Sequence, residues 1–333
     1  MQINAWAAQG PGQRLEPFCY EPGELKPDDV EVAVEACGLC HSDISVINNE
    51  WGISSYPVIP GHEVIGKVVA LGSSAKGVKI GQRVGIGWGA GSCMHCEQCL
   101  AGDSNLCPEN QPTIVGRFGG FADRVRAQWP WAVPLPDGLS ADAGPLLCGG
   151  VTVFTPLKVF NVAPTDRVGV VGIGGLGHMA LMFAKAWGCE VTAFTSTDSK
   201  ADEAKGFGAH RVVNSRRPDE IKRIAGSLDL LIVTVNVSLD WPSMLATLRP
   251  KGRLHFVGAV LEPIPIIAFD IIMTQRSVSG SPNGSPVTTA QMLNFAARHN
   301  ILPQTEHFPI THVNEAIQHL LDGKARYRVV LDM

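Results

Sequence analysis

The chain has 333 residues, more than one hydrophobic core usually supports, and 45% of them are hydrophobic, so two well-filled domains are expected. A formal net charge of −4 and a pI near 6.2 provide no basic field for a nucleic-acid backbone, which excludes nucleic acid as the expected partner. No stretch approaches the roughly 20 apolar residues of a membrane helix, and the start MQINAWAAQG lacks the basic leader and apolar core of a signal peptide, so a cytoplasmic protein is expected.

Through the first 150 or so residues Gly and Pro are dense, and DVEVAVEAC, EVIGKVVAL and DRVRAQWPWAVPLP lie between turn signals, which predicts a β-rich domain of short strands. Two possible metal ligands sit in this region, Cys40 in GLCHSD and His62 in PGHEVIG, and a third, Cys148, follows in PLLCGGVT. Two thiolates and one imidazole with one open position describe a catalytic zinc. Singly, each reads more readily as a buried thiol or a satisfied core histidine. Their combination with the two motifs below favours the metal.

The string CMHCEQCLAGDSNLC places Cys93, Cys96, Cys99 and Cys107 at C-x2-C-x2-C-x7-C spacing. Four soft thiolates fit one tetrahedral ion and leave no position open, so a structural zinc is expected. A disulfide cluster or a set of reduced core cysteines fits poorly, because the residues in between are largely polar. With no signal peptide, the nine cysteines point to metal sites in a reducing compartment.

Past residue 150, RVGVV, CEVTAF, RVVNS, LDLLIVTV and GRLHFVGAV are continuous apolar runs separated by helical segments, the pattern of a parallel sheet covered on both faces. The turn after the first run holds Gly172, Ile173, Gly174, Gly175, Leu176 and Gly177, a G-x-G-x-x-G that opens the helical stretch HMALMFAKAW. In that context the glycines predict a dinucleotide site with the pyrophosphate at the helix N-terminus. About twenty residues on, where an acid would bind the ribose of NAD, stand Thr195, Ser196 and Thr197, with Lys200 close behind. Hydroxyls and an ammonium suit a 2′-phosphate, so NADP(H) is expected over NAD(H). The alternative is an ordinary polar turn in which Asp198 takes the acidic role. The tail predicts two helices and a closing strand, YRVVLDM, returning to the first domain.

The motifs GLCHSD, GHEVIG, the four-cysteine lobe, PLLCGGVTVF, GIGGLGH and SGSPNGS occur in the order of the zinc-dependent medium-chain dehydrogenases/reductases, which the chain resembles over most of its length. Within them it is similar to the cinnamyl alcohol dehydrogenase branch, and most to bacterial NADPH-dependent broad-specificity aldehyde reductases. The resemblance implies an α/β chain with a GroES-like catalytic domain at 1–147, rejoined by 283–333, and a Rossmann doubly wound cofactor domain at 148–282. It also implies a cleft between the domains and a homodimer. Cys40, His62 and Cys148 would then ligate a catalytic zinc with Glu63 beside it, so that two zinc ions are expected per subunit. Ser42 would carry the proton, and Thr152, Thr234, Gly258 and Ser281 would line the nicotinamide or ribose. Trp51, Ile53 and Trp88 would wall an apolar substrate pocket suited to aromatic or medium-chain aliphatic aldehydes rather than polyols. The chain departs from many relatives in having Ser45 where a histidine would pass the proton onward. The segment after Cys107 is also shorter than in the plant enzymes. The rival readings are a zinc-independent quinone or enone reductase and a non-enzymatic zinc- and nucleotide-binding sensor.

Overall fold

The computed structural model describes residues 1–333, which form two compact units: Met1–Val151 with Asn283–Met333, and Thr152–Pro282. No helix is long and apolar enough to cross a membrane.

In the first unit, strand Asp29–Leu39 is the centre of a seven-stranded sheet. Its sequence is rich in β-branched residues and buried on both faces, which favours an interior strand. Strand Val64–Leu71 pairs antiparallel on one side, and strands Arg328–Asp332 and Arg124–Gln128 also pair with it antiparallel. Thus YRVVLDM does form a strand, and it is built into the first sheet. Strand Thr305–Pro309 adds on the outside, parallel to Arg328–Asp332. Helix Pro286–His299 precedes it: Pro286 opens the helix, the Ser285 hydroxyl accepts the Thr288 N–H at 3.3 Å, and Asn300 closes it in the left-handed conformation.

A 3₁₀ turn, Ala141–Leu147, packs on the Asp29–Leu39 and Val64–Leu71 strands. That packing carries Cys148 with the first unit, so the division falls after Val151 rather than after residue 147.

The turn is tied to the C-terminal strands through His307. Its Nδ1 meets Asp332 at 2.9 Å and its Nε2 meets Asp142 at 2.9 Å, and Asp142 also accepts from Ser140 at 2.6 Å. Partial burial opposes a charged ring, but the bonds to the two carboxylates outweigh it and raise the His307 pKa above 6.5. This contribution is complete below 6.5 and is lost as pH rises through the higher folded value. Wild-type protein should therefore lose part of its unfolding free energy above pH 6.5, and the His307→Gln variant should lack that part. Parallel denaturant titrations from pH 5.5 to 8.5 would disprove this if the two curves kept a constant separation.

The second unit is a six-stranded, wholly parallel sheet. In spatial order its strands are Arg211–Asn214, Glu190–Thr195, Arg167–Val171, Leu228–Val233, Leu248–Phe256 and Ser277–Gly280. In chain order this is 3-2-1-4-5-6, the doubly wound arrangement that binds ligands at the C-terminal strand ends. One side of the sheet buries Phe194, Trp241, Leu231 and Leu254 in a separate apolar core.

Candidate functional site

Strand Asp29–Leu39 runs directly into helix His41–Ile47, with Cys40 as its N-cap. Asp43, in the first helical turn, reaches back to accept the Cys40 N–H at 2.9 Å. Its other oxygen accepts the Gly61 N–H at 2.8 Å and faces His62 Nδ1 at 2.9 Å. With the Asp43 oxygen accepting, Nδ1 is the donor of this pair and Nε2 is the ring nitrogen left to face a ligand. Nε2 is buried and has no hydrogen-bond partner.

Beside it, one ligand atom each from Cys40, His62, Glu63 and Cys148 lies within 4.8 Å of the others. A hydrogen bond between the two sulfurs pulls the Cys40 pKa far down and, with burial, pushes that of Cys148 far up. Burial works against a charged His62, yet Asp43 and the Cys40 sulfur raise its pKa, so the pocket favours a cation at Nε2. Two thiolate donors, an orphaned imidazole nitrogen and an adjacent carboxylate fit Zn²⁺.

Glu63 is fully buried, and burial pushes its pKa up to about 7 despite Arg328, whose guanidinium bonds Oε1. Oε2 has no partner. A Cβ at Gly38 would sit 1.9 Å from Oε2, so no other residue leaves room for this carboxylate. Trp88 meets the His62 ring edge-on at 5.0 Å, and Trp51 packs edge-on against Trp88 at 5.9 Å, so one aromatic ring lies against a candidate ligand and a second lies behind it, while Ile53 is exposed. Ser42 is half-buried, with the Cys40 thiol 3.8 Å from its hydroxyl. Ser45 is buried and donates to Glu50 at 2.7 Å, so the position where many relatives carry a histidine here faces a carboxylate.

The four lobe cysteines also come together, with Cys93 Sγ 3.9 Å from Cys99 Sγ and 3.5 Å from Cys107 Sγ. A tetrahedron with Zn–S bonds of about 2.3 Å has an edge of about 3.8 Å, so the spacing suits the ion. Backbone N–H groups of Cys96 and Glu109 point at Cys93 and Cys107 at 3.3 Å each. Hydrogen bonds from the His95 and Cys96 backbone pull the Cys93 thiol down to about 6. All nine cysteines are free, so the disulfide alternative is set aside.

In the second unit, strand Arg167–Val171 turns through the glycines into helix Gly177–Trp187. A Cβ at Gly177 would lie 1.8 Å from the Gly172 carbonyl, which makes glycine obligatory for the helix to approach this closely. A Cβ at Gly174 would meet nothing within 4 Å, leaving open space for a phosphate at the helix N-terminus. The Thr234 hydroxyl bonds the carbonyls of Val171 and Gly172 at 2.8 and 2.7 Å and so braces the loop. Gly258 packs against the Val235 carbonyl, and Thr152 is buried. The Ser281 hydroxyl lies 2.9 Å from His255 Nε2.

At the end of the next strand the Thr195 hydroxyl donates to the Thr197 carbonyl and accepts its N–H, at 3.0 and 3.2 Å. Thr195 is therefore closed into the turn, and it is Ser196 and Thr197 that are exposed. Lys200 reaches back to the Ile173 carbonyl at 3.4 Å, beside the glycine loop. Both carboxylate oxygens of Asp198 are occupied, by Asn214 and by Arg217.

Residues 26–137 match the alcohol dehydrogenase GroES-like domain, and residues 175–298 match the zinc-binding dehydrogenase domain. An aldehyde reductase of Synechocystis sp. is 53% identical over 330 residues, covering 99% of this chain and 98% of the relative. The chain belongs to the zinc-binding alcohol dehydrogenase family. A cinnamyl alcohol dehydrogenase of Sorghum bicolor superposes with a TM-score of 0.95 at 37% identity, covering 100% of this chain and 98% of that one. The cinnamyl alcohol dehydrogenase of Helicobacter pylori complexed with NADP(H) gives 0.91 at 30% identity, covering 100% and 98%.

The family's β-rich and doubly wound domains are both present, as the sequence led one to expect. For this alcohol dehydrogenase, sequence reasoning overlooked Asp43 and Arg328. Asp43 could have been suspected as the acid of GLCHSD, placed to cap its own helix. Nothing local points to Arg328, which meets Glu63 only through the sheet.

Proposed function

We propose that the chain reduces aldehydes to primary alcohols with NADPH, reversibly. Alcohol and aldehyde oxidoreduction follows from the family; the choice of cofactor rests on the turn after strand Glu190–Thr195. The observation that carries the cofactor reading is the state of Asp198, the one acid placed to bind a ribose diol, whose oxygens are taken by Asn214 and Arg217. Ser196 and Thr197 are exposed at this turn, and Lys200 brings its ammonium beside the glycine loop, a set whose chemistry suits a 2′-phosphate. Comparing kcat/KM for NADPH and NADH tests it, and a preference for NADH would overturn it.

Cys40, His62 and Cys148 would hold one zinc with Glu63 at its side, and Cys93, Cys96, Cys99 and Cys107 the other. Zinc at the first site supplies Lewis acidity to a carbonyl oxygen, and the nicotinamide supplies the hydride. Asp43 orients the His62 ring, while Trp51 and Trp88 exclude water and favour aromatic or medium-chain aliphatic groups. Ser42 both donates and accepts at Oγ, so it can move a proton to and from the substrate oxygen. Ser42→Ala should lower kcat about 100-fold with zinc content unchanged. Metal analysis and turnover of the same preparation check this, and undiminished kcat would remove Ser42 from the reaction.

A homodimer is supported by the open edge strand Ser277–Gly280, which has a partner on one side only, and by exposed Leu261, Ile267, Phe269, Ile272 and Met273 nearby. Sedimentation should give twice 35.5 kDa, and a single-chain mass would refute it. Free thiols in two candidate zinc sites suit the reducing cytoplasm, which cell fractionation would test.

A further inference from the structure

We infer that Arg217 is a cofactor-specificity residue that acts by masking Asp198; this rests on the NADP(H) reading. In the parallel sheet Thr195 lies opposite Asn214, and the Ser215 N–H donates to the Thr195 carbonyl at 2.8 Å, so the turns after these two strands are neighbours. Across them runs a closed circuit. Arg217 donates to Asp198 through Nη2 and to Glu220 Oε1 through Nη1 at 2.9 Å. Glu220 Oε2 accepts the Asn214 N–H at 2.8 Å, and the Asn214 side-chain amide donates to Asp198 at 2.8 Å.

The circuit contains two carboxylates and one guanidinium. Without Arg217, two uncompensated negative charges would stand next to the turn formed by Ser196 and Thr197. A dianionic 2′-phosphate would be repelled, and Asp198 would be free to accept from a ribose 2′-hydroxyl. The same side chain thus raises affinity for the phosphorylated ribose and withdraws the acid that the unphosphorylated one would use. Asp198 and Arg217 are 61% and 55% exposed, so the pair contributes little to folding and its removal is tolerable.

Calorimetric binding of adenosine 2′,5′-bisphosphate and adenosine 5′-monophosphate, which differ only in the 2′-phosphate, tests the inference without turnover. For Arg217→Gln the ratio of the two dissociation constants should shift about fivefold toward the monophosphate, an amount fitting an exposed charge beside a dianion, and the shift should shrink at high salt. Arg217→Lys should keep the wild-type ratio within about twofold, since the charge is retained. In the double variant Asp198→Asn with Arg217→Gln, the ratio should recover most of the way. A double variant as impaired as Arg217→Gln alone would overturn the masking role. If the wild type prefers the bisphosphate and Arg217→Gln keeps that ratio, the Arg217 assignment falls while the NADP(H) reading stands. A wild type that binds both probes equally overturns both.

Discussion

The Arg328→Met variant is expected to lose about 3–5 kcal/mol of unfolding free energy, because it leaves the Glu63 carboxyl buried and unpaired. Glu63 has no solvent exposure, and one of its oxygens already lacks a partner. The guanidinium of Arg328 is the larger offset to its desolvation, with His62 second, and even so burial pushes the carboxyl up to about 7. Methionine fills a similar volume but brings no charge, so Glu63 would have to take up a proton or draw in water. The double variant Glu63→Gln with Arg328→Met should regain a large part of the loss, because neither position then buries a charge without its partner. Denaturant unfolding of the four proteins gives the coupling directly. A loss below about 1 kcal/mol in Arg328→Met would show that the sheet, and not the ion pair, accommodates Glu63.

That pair also marks the limit of what the sequence shows. Cys93 to Cys107, and Gly172 to Gly177, are legible because their geometry is local: a ligand spacing and a strand–turn–helix junction are fixed within fifteen residues or fewer. Cys40, His62 and Cys148 are legible only as a conjunction, since a strand end, a loop and a 3₁₀ turn bring them together. The partnership of Glu63 with Arg328 spans 265 positions and exists because strand Arg328–Asp332 joins the first sheet beside Asp29–Leu39. No periodicity encodes that adjacency. At the cofactor turn, the residue types Thr, Ser, Thr and Lys carried the chemistry, yet which hydroxyl faces outward depended on Thr195 hydrogen-bonding within its own turn. Likewise the fate of Asp198 depended on Arg217, nineteen positions away on a neighbouring strand's exit.

The largest functional effect is expected for His62→Ala, and comparing it with Cys99→Ser separates the two metal sites. His62 supplies the only imidazole of the candidate catalytic set, and Asp43 holds it by a single bond at 2.9 Å. Its loss leaves the two thiols and Glu63, a set with no neutral donor, while Asp43 still bonds the backbone of Cys40 and Gly61 and keeps the helix in place. Metal content should therefore fall from about two zinc ions to about one, with little change in unfolding midpoint. Aldehyde reduction should fall at least about 1,000-fold, since Lewis-acid stabilisation is worth several kcal/mol and each 1.36 kcal/mol is tenfold. Cys99→Ser should also lose one zinc but behave in the opposite order. Its residues, Cys93 to Cys107, have little apolar burial of their own, so thiolate–metal bonds there would supply the folding energy of that lobe. Unfolding should move to lower denaturant, and activity should decline only as folded protein is lost. Metal content, unfolding midpoint and initial rate measured on both variants decide the matter: if His62→Ala retains two zinc ions and full turnover, the catalytic site lies elsewhere.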